Sequence, residues 1–441
     1  MTAGRKDAAG YMIFDAHMMI EKMALRKEKM KNFWIVACIC SIVILIGVVA
    51  FAGVSYMESQ KTIDVFQELA KEWDTMLQVE ELEIQMETTG EQAEMLESRA
   101  EAIGEQVGVL ESRTEATEEQ VGVLESQEEG EVRLVFGGDV YLSDTFLGAY
   151  DVKGVSGILD QEVLGLMTGA DAAMVNQEFA FSERGTAMED KQYTFRVPPN
   201  RVKIFQEMGI DIVSLANNHA LDFGTVALED SFDTLDNAGI LYVGAGRNLA
   251  RAKEMQTFHV NGKVIGVLAA SRVVPVAEWN VGSSSTGMLT TYSPEILCRT
   301  IEENRAVCDY LVVFVHWGVE LNEYPEDYQF QMGKQYIDAG ADLVVGCHPH
   351  IMQGIEYYQG KPIVYSLGNY IFNLRYASTG LLQILIREDG EIVAELIPVR
   401  TDALPFRLLQ GEEKKEFYRH IESISFQISI DEYGIIRYNK K

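Results

Sequence analysis

The chain has few cysteines and few basic residues for its length. It contains five cysteines in 441 residues, and their spacing matches neither a C-x-x-C motif nor a zinc knuckle, so a disulfide framework is not indicated. Lysine and arginine number 37 against 67 aspartates and glutamates, which gives a formal net charge of −30. Because no segment carries a broad basic patch, the composition argues against a nucleic-acid-binding protein. The length predicts two or three folding units.

Charge and hydropathy set the N-terminal part of the chain apart. Residues 1–31 carry seven basic and four acidic residues, and Phe33–Val54 is a run of 22 residues without a charge. Such a run can cross about 30 Å of hydrocarbon. The positive-inside rule then predicts a single-pass cell-membrane anchor with a cytoplasmic N-terminus and an extracytoplasmic main domain. A cleaved signal peptide is the alternative, because Ala50-Phe51-Ala52 resembles a cleavage site.

Protease added to intact cells tests this topology. We expect it to remove the part of the chain after residue 58, because the basic flank of residues 1–31 favours only this orientation. Protection of the large domain in intact cells, with digestion only after lysis, would contradict the predicted orientation.

A second segment, residues 58–130, is strongly acidic and contains a repeat. It carries 21 acidic and four basic residues, and Gly90–Ile103, Gly104–Thr117 and Glu118–Glu129 align with a period of 14. Because 14 residues are two heptads, apolar residues recur at spacings of three and four, as in a coiled coil. The segment is therefore predicted to be a helical stalk that can self-associate, and a solvated acidic spacer is the alternative.

From residue 131 onward, apolar runs typical of buried parallel strands end in polar clusters. Ligand sites of open α/β sheets lie beyond the carboxyl ends of such strands, so these clusters predict one site. The runs are Val132–Phe136, Ala172–Val175, Ile212–Leu215, Leu311–Val315 and Leu343–Val345. The polar residues that follow them are Asp139, Asn176, Glu178, Asn217, Asn218, His219, His316, Cys347, His348 and His350.

The sequence Cys347-His348-Pro349-His350 gives the sharpest signal for a metal. In an extended segment, two imidazoles at a spacing of two point the same way, and Pro349 restricts the backbone between them. Cys347 should then face away from the pair as a small buried residue. Neutral imidazoles with carboxylates and an amide suit Mn, Fe or Zn better than Ca or Mg.

Strand-like runs alternate with amphipathic stretches of helical length, which predicts an α/β domain over residues 131–400 and an extension over 401–441. Gly137 and Gly138 are expected to permit a sharp turn before Asp139. The predicted helices are Gly157–Thr168, Arg201–Met208, Thr225–Ala238, Pro294–Cys308 and Tyr328–Ala339.

These motifs together resemble the poly-γ-glutamate capsule biosynthesis (CapA) family, whose domain is similar to the calcineurin-like metallophosphoesterases. The resemblance covers Arg133 to Phe372 and rests on GGDVYL, NQE, LANNHALDFG, VHWGVE and the stretch from GADLVVGCHPH to SLGNYIFN. It implies a four-layer α/β/β/α sandwich with one or two divalent metal ions (Mn, Fe or Zn) at one edge.

Carried over from the family, Asp139 is a ligand of the first metal and Glu178 takes the place of the bridging carboxylate. Asn218 is a ligand of the second metal, and His219 is the acid near the leaving group. His316, His348 and His350 complete the ligand set. Where metallophosphoesterases have a histidine two residues after the first aspartate, this chain has Tyr141, which points to a weakened first-metal site or a single ion.

Two hypotheses for the function follow. In the first, the chain is a metal-dependent hydrolase or transferase that acts outside the membrane on a phosphoester or a γ-glutamyl amide. In the second, it is a non-catalytic subunit that holds poly-γ-glutamate or other membrane subunits of a synthesis and export complex. An acidic surface suits a polyanion poorly, unless metals or basic residues such as Arg184, Arg196 and Arg272 make the contact.

Overall fold

The structure, a computed structural model, describes residues 131–439. The predicted cytoplasmic tail, the predicted anchor and the predicted acidic stalk lie outside the described residues. Across residues 131–439, no helix is both long and apolar enough to span a bilayer.

The described residues form two large β-sheets and several two-stranded pairs, and the predicted α/β class is confirmed. The strands are β1 (Val132–Val140), β2 (Ala172–Gln177), β3 (Ala180–Phe181), β4 (Arg196–Val197), β5 (Ile212–Ser214), β6 (Leu241–Val243), β7 (Ala245–Gly246), β8 (Gln256–Val260), β9 (Lys263–Ser271), β10 (Gly287–Met288), β11 (Tyr310–His316), β12 (Leu343–Cys347), β13 (Ile355–Tyr358), β14 (Lys361–Val364), β15 (Asn369–Ile371), β16 (Ser378–Ile386), β17 (Ile392–Arg400), β18 (Arg407–Leu408), β19 (Ile428–Ile430) and β20 (Ile436–Tyr438).

Helices connect most of the parallel strands. They are α1 (Asp144–Lys153), α2 (Gln161–Thr168), α3 (Lys203–Glu207), α4 (Thr225–Ala238), α5 (Leu249–Ala252), α6 (Glu295–Asn304), α7 (Asp327–Ala339) and α8 (Gly411–Ser423). Helix α2 begins later than the predicted Gly157, because Asp160 caps it by accepting a hydrogen bond of 2.9 Å from the Val163 amide.

The first sheet has the strand order β18-β17-β16-β1-β2-β5-β6, with β15 also paired to β1. Strands β1, β2, β5 and β6 are mutually parallel, and β16 joins β1 in the antiparallel sense. The second sheet has the order β13-β14-β12-β11-β9-β8, in which β9, β11, β12 and β14 are parallel. Each sheet therefore presents several carboxyl strand ends along one edge.

Three hydrophobic clusters hold the layers together. One is shared by the two sheets and includes Phe136 of β1 and Phe314 of β11. A second contains Phe232 of α4 with residues of the first sheet, and a third contains Tyr336 of α7 with residues of the second sheet. Helix α8 adds residues such as Ile421 to the cluster between the sheets. Residues after position 400 are therefore part of this shared core.

The strand register brings polar residues of distant sequence positions level with one another. Asp139 on β1 pairs with Asn176 on β2 and with Asn369 on β15. His316 on β11 pairs with Cys347 on β12. The candidate residues of each sheet are thus aligned at the strand ends by backbone pairing, before any contact between their side chains.

Candidate metal centre

Asp139 is fully buried and held from several sides. Its Oδ1 accepts a hydrogen bond of 2.8 Å from the side-chain amide of Asn176, and its Oδ2 accepts one of 3.1 Å from the backbone N–H of His348. Asn176 Nδ2 also lies 3.3 Å from Glu178 Oε2, so the amide and the carboxylate lie on one side of the chain. A buried carboxylate with this support has a fixed orientation.

The predicted turn before Asp139 is wrong, because Gly137 and Gly138 lie inside strand β1. The backbone of Gly138 does not need a positive φ. A Cβ atom at this position would lie 1.8 Å from the carbonyl oxygen of Gly368. The same oxygen accepts a hydrogen bond of 2.9 Å from the Asp139 amide. Glycine is required here for the close approach of two backbones beside the site.

Gly138→Ala is expected to destabilise the fold by about 3 kcal/mol or more, because neither backbone can give way without moving Asp139. Gly148→Ala is the matched control: it lies on helix α1 with nothing within 4 Å of a built Cβ. Alanine there should be neutral or stabilising by up to about 1 kcal/mol. Equal midpoints of chemical unfolding for the two variants would contradict this packing argument.

Glu178 lies at the centre of the candidate site. Its side chain is fully buried, and its Oε1 lies 3.8 Å from Nε2 of His219, 4.0 Å from Nε2 of His316 and 3.9 Å from Nε2 of His350. Three imidazoles from three separate segments of the chain therefore face one carboxylate oxygen. Strand ends of both sheets bring these groups together across more than 170 positions of sequence.

His316 ends strand β11 and connects the two sheets. Its Nε2 lies 2.7 Å from Oδ1 of Asn218, and its Nδ1 lies 4.0 Å from Oδ1 of Asp139. The same nitrogen, Nδ1, lies 3.2 Å from the sulfur of Cys347, which is fully buried. Burial, followed by Asp139 and Glu178, raises the pKa of the Cys347 thiol well above its usual value. Cys347 is thus a buried neighbour of the site, as a thiol.

His348 and His350 reach the site by a different backbone route from the one predicted. Strand β12 ends at Cys347, and the φ angles of His348 and His350 are 102° and 61°. The prediction that this pair lies in an extended segment is therefore wrong. A positive φ costs a non-glycine residue about 1–3 kcal/mol and is concentrated at functional sites. Here it lets the His348 ring lie 4.7 Å from that of His316, centroid to centroid.

Burial and neighbouring charge set the protonation of the cluster. Burial and then His348 lower the pKa of His316 well below its usual value, and burial followed by His350 lowers that of His348 to about 3. Burial opposes charge on His350 too, but Glu178 and Asp139 raise its pKa to about 10. Burial and Asp139 raise the pKa of Glu178. His316 and His348 are therefore neutral, with lone pairs available to a cation, whereas His350 would release its proton on binding one.

The residues fit a metal ion. Among the described residues, Glu178 Oε1 and His348 Nδ1 are buried without a hydrogen-bond partner, a condition that costs about 1–3 kcal/mol per group. Two atoms bound to one ion at about 2.0–2.2 Å lie at most about 4.4 Å apart, a limit that the distances around Glu178 respect. Three sets of side chains in this cluster could hold an ion: Asp139-His316-Cys347, Glu178-His316-His348 and Asp139-Glu178-His350.

His219 has its own set of partners beside this cluster. Its Nδ1 lies 2.6 Å from Oδ2 of Asp222, which is fully buried, and 3.1 Å from Nζ of Lys191. With Nδ1 held by Asp222, the remaining nitrogen, Nε2, faces Glu178. Asn217 supports this loop, since its Oδ1 accepts a hydrogen bond of 3.0 Å from the His219 amide.

Two residues that contribute to the site, Lys191 and Asn369, are not among the predicted site residues. Lys191 lies in an irregular loop with no motif to mark it, and it also contacts Asp222. The side chain of Asn369 also reaches the site, since its Oδ1 lies 2.8 Å from Nδ1 of His350. Asn369 follows the run Ile363–Ser366 in the sequence, the same kind of signal that identified the other site residues.

Aromatic rings form one side of the site. The Tyr141 ring stacks on Phe195 at 4.1 Å, and Phe195 lies 4.2 Å from the His219 ring, centroid to centroid. Phe372 lies 4.6 Å from the ring of His350. Tyr141 is therefore part of an aromatic wall beside the metal-capable cluster, and its hydroxyl makes no hydrogen bond within residues 131–439.

The fold and the site define a class: an α/β protein of two large sheets whose strand ends carry a buried carboxylate–histidine cluster able to hold a metal. The model of the family described as "Bacterial capsule synthesis protein PGA_cap" matches residues 133–374, more than half of the chain. The chain belongs to this family.

Individual proteins are also similar to this chain in sequence. The chain is 30% identical over 269 residues to "PGA biosynthesis protein CapA" of Bacillus subtilis (strain 168), which covers 59% of this chain and 70% of that protein. It is 30% identical to "Capsule biosynthesis protein CapA" of Bacillus anthracis, over 53% of this chain and 58% of that protein. A "Probable polyglutamine synthesis accessory protein" of Mycobacterium tuberculosis is 28% identical to this chain, over 60% of this chain and 74% of that protein.

Proposed function

We propose that this chain is a membrane-anchored, extracytoplasmic accessory protein of poly-γ-glutamate capsule synthesis and export, with a divalent metal centre at its strand ends. Support for the process comes from the family and from the names of its relatives. Support for the anchor comes from the uncharged run Phe33–Val54 and its basic flank. We further propose that the two sheets and their helices form a metallophosphatase-like four-layer sandwich over residues 131–400.

The observation that carries the metal proposal is the environment of Glu178 Oε1. This oxygen is buried without a hydrogen-bond partner, while three imidazole nitrogens lie 3.8–4.0 Å away. We assign one or two ions of Mn, Fe or Zn to the site. The residues that would hold them are Asp139, Glu178, Asn218, His316, His348 and His350.

The proposed reaction is hydrolysis or transfer at a phosphoester or at a γ-glutamyl amide. A divalent ion at this site would stabilise negative charge on the reacting oxygen. His219 would pass a proton to the leaving group through Nε2, because Asp222 holds the opposite ring nitrogen and fixes the ring. The contact of 2.6 Å between His219 Nδ1 and Asp222 Oδ2 supports this assignment.

A non-catalytic role in the same complex is the second candidate, and Tyr141 is the observation that favours it. Its ring stacks on Phe195 at 4.1 Å, so the position that supplies a histidine in metallophosphoesterases offers no ligand here. A centre with fewer ligands could hold the polymer, or another membrane subunit, without turnover.

The test is an activity panel on the purified full-length chain, loaded in turn with Mn, Fe or Zn. Phosphoesters and γ-glutamyl peptides are the two substrate groups. Metal-dependent product release from one group would support the hydrolase or transferase. Bound metal with no product from either group would favour the non-catalytic candidate.

A further inference from the structure

Three arginines were candidates for contact with an anionic polymer, and the structure separates them. Arg184 is engaged by Asp230, with Nε 3.0 Å from Oδ2. Arg196 donates a hydrogen bond of 2.9 Å to the carbonyl oxygen of Arg184 and lies over the Phe223 ring. The guanidinium of Arg272 differs from both, because it makes no hydrogen bond or ion pair within residues 131–439.

Aromatic rings hold Arg272 in place. Its guanidinium carbon lies 3.5 Å from the ring centroid of Tyr292 and 5.0 Å from that of Tyr328. Tyr328 is itself fixed, since its hydroxyl oxygen accepts a hydrogen bond of 2.7 Å from the amide of Gly318. A guanidinium held by ring faces keeps its planar set of N–H donors free for a ligand, and it loses little conformational freedom when that ligand binds.

The backbone of Arg272 also adjoins a residue of the candidate metal centre. It follows strand β9, and its backbone N–H donates a hydrogen bond of 2.8 Å to the carbonyl oxygen of His316. The loop that it begins continues to Trp279, whose ring lies 5.2 Å from Nζ of Lys191. One loop therefore runs along the site, with Arg272 at its start and Lys191 against its middle.

The acidic domain needs a local cation if it is to bind a polycarboxylate. Residues 131–441 have a formal net charge of −16, from −30 for the chain less the +3 of residues 1–31 and the −17 of residues 58–130. A polycarboxylate is repelled by this surface unless a local cation binds it. Lys191 is committed to Asp222, and burial lowers its pKa. Arg272 is the cation of the loop after β9, and its guanidinium makes no hydrogen bond or ion pair within residues 131–439.

We propose that Arg272, held by Tyr292 and Tyr328, binds a free carboxylate of the poly-γ-glutamate chain beside the metal centre. This inference rests on the proposed function and adds the residue that recognises the repeating unit. A guanidinium suits the task because its paired N–H groups match the two oxygens of a carboxylate.

The experiment is titration calorimetry of the full-length chain in detergent with a γ-glutamyl decapeptide, with metal content measured on each sample. Arg272→Gln is expected to weaken binding by about tenfold or more, because it removes a charge-assisted contact. Arg272→Lys should give an intermediate loss, since the charge stays and the planar fork is lost. Metal content should equal that of the unmodified protein in both variants.

Arg299→Gln is the matched control. Arg299 lies on helix α6, is exposed, and has no ion pair within residues 131–439. It should change the affinity by less than about twofold, since exposed charges contribute little. The same decapeptide with its carboxylates amidated should bind the unmodified protein weakly and should not distinguish Arg272→Gln from it.

Equal affinities for Arg272→Gln and Arg299→Gln, or no binding of the decapeptide by the unmodified protein, would overturn the inference. Neither result touches the metal centre, which the metal content reports separately. Absence of metal from the unmodified protein, with a binding loss confined to Arg272→Gln, would refute the proposed metal centre and support the carboxylate site.

Discussion

His348→Ala and His350→Ala are each expected to lower the affinity of the purified chain for Mn, Fe or Zn by about 100-fold or more. Loss of a group that merely orients a ligand already costs about 10–100-fold, and these two imidazoles are proposed as ligands themselves. His348 Nδ1 is buried without a partner, and His350 Nε2 lies 3.9 Å from Glu178 Oε1. Equilibrium dialysis followed by elemental analysis measures the effect.

His259→Ala is the matched control for both variants, because His259 is exposed on the edge strand β8. Thermal unfolding should show that all three variants remain folded, since the two site histidines bury little apolar area. Full retention of metal in both His348→Ala and His350→Ala would contradict their assignment as ligands.

His219→Ala is expected to abolish any turnover, by about 10²–10⁴-fold, while most of the metal stays bound. The reason is that proton transfer by a positioned side chain contributes about this factor, and His219 is assigned to the proton rather than to the metal. Its Nδ1 is engaged at 2.6 Å by Asp222. The measurement is the rate on the best substrate of the activity panel, with metal content determined on the same sample.

Asp222→Asn separates positioning from proton transfer. The amide can still contact the ring but cannot stabilise the protonated form, so we expect a smaller loss of rate than for His219→Ala and unchanged metal. A His219→Ala variant that loses its metal together with its activity would instead assign His219 to the ligand set.

Much of the fold could be predicted, because buried parallel strands are visible as continuous apolar runs. Helix α4 has the predicted bounds, Thr225–Ala238. Its buried residues Leu228, Phe232 and Leu235 recur at helical spacing, and Gly239, with φ 73°, ends it. Here the local signals and the tertiary packing agree.

Helices α1 and α8 were not among the predicted helices, for two different reasons. Helix α1 buries only Phe146 and Tyr150, and it contains Gly148, so its apolar stripe is short. Helix α8 is rich in charge, and its buried residues Phe417, Tyr418 and Ile421 become a recognisable face only against the cluster between the sheets. In both cases tertiary contacts outweigh a weak local pattern.

The chemical types of the site residues were visible in the sequence, whereas their arrangement depended on long-range packing. The polar clusters after the apolar runs identified Asp139, Glu178 and His316, which the strand ends then bring together. The positive φ angles of His348 and His350 could not be read from their residue types, since neither is a glycine. Lys191 reaches His219 from a loop that carries no periodic signal.

The central claim is that the buried cluster around Glu178 is a metal centre, and anomalous X-ray scattering from crystals of the full-length protein tests it most directly. Data collected on both sides of the Mn, Fe and Zn absorption edges identify the element and its position. We expect one or two anomalous peaks among Glu178, Asp139 and the imidazoles of His316, His348 and His350. A protein supplied with all three metals that shows no peak in this cluster would contradict it.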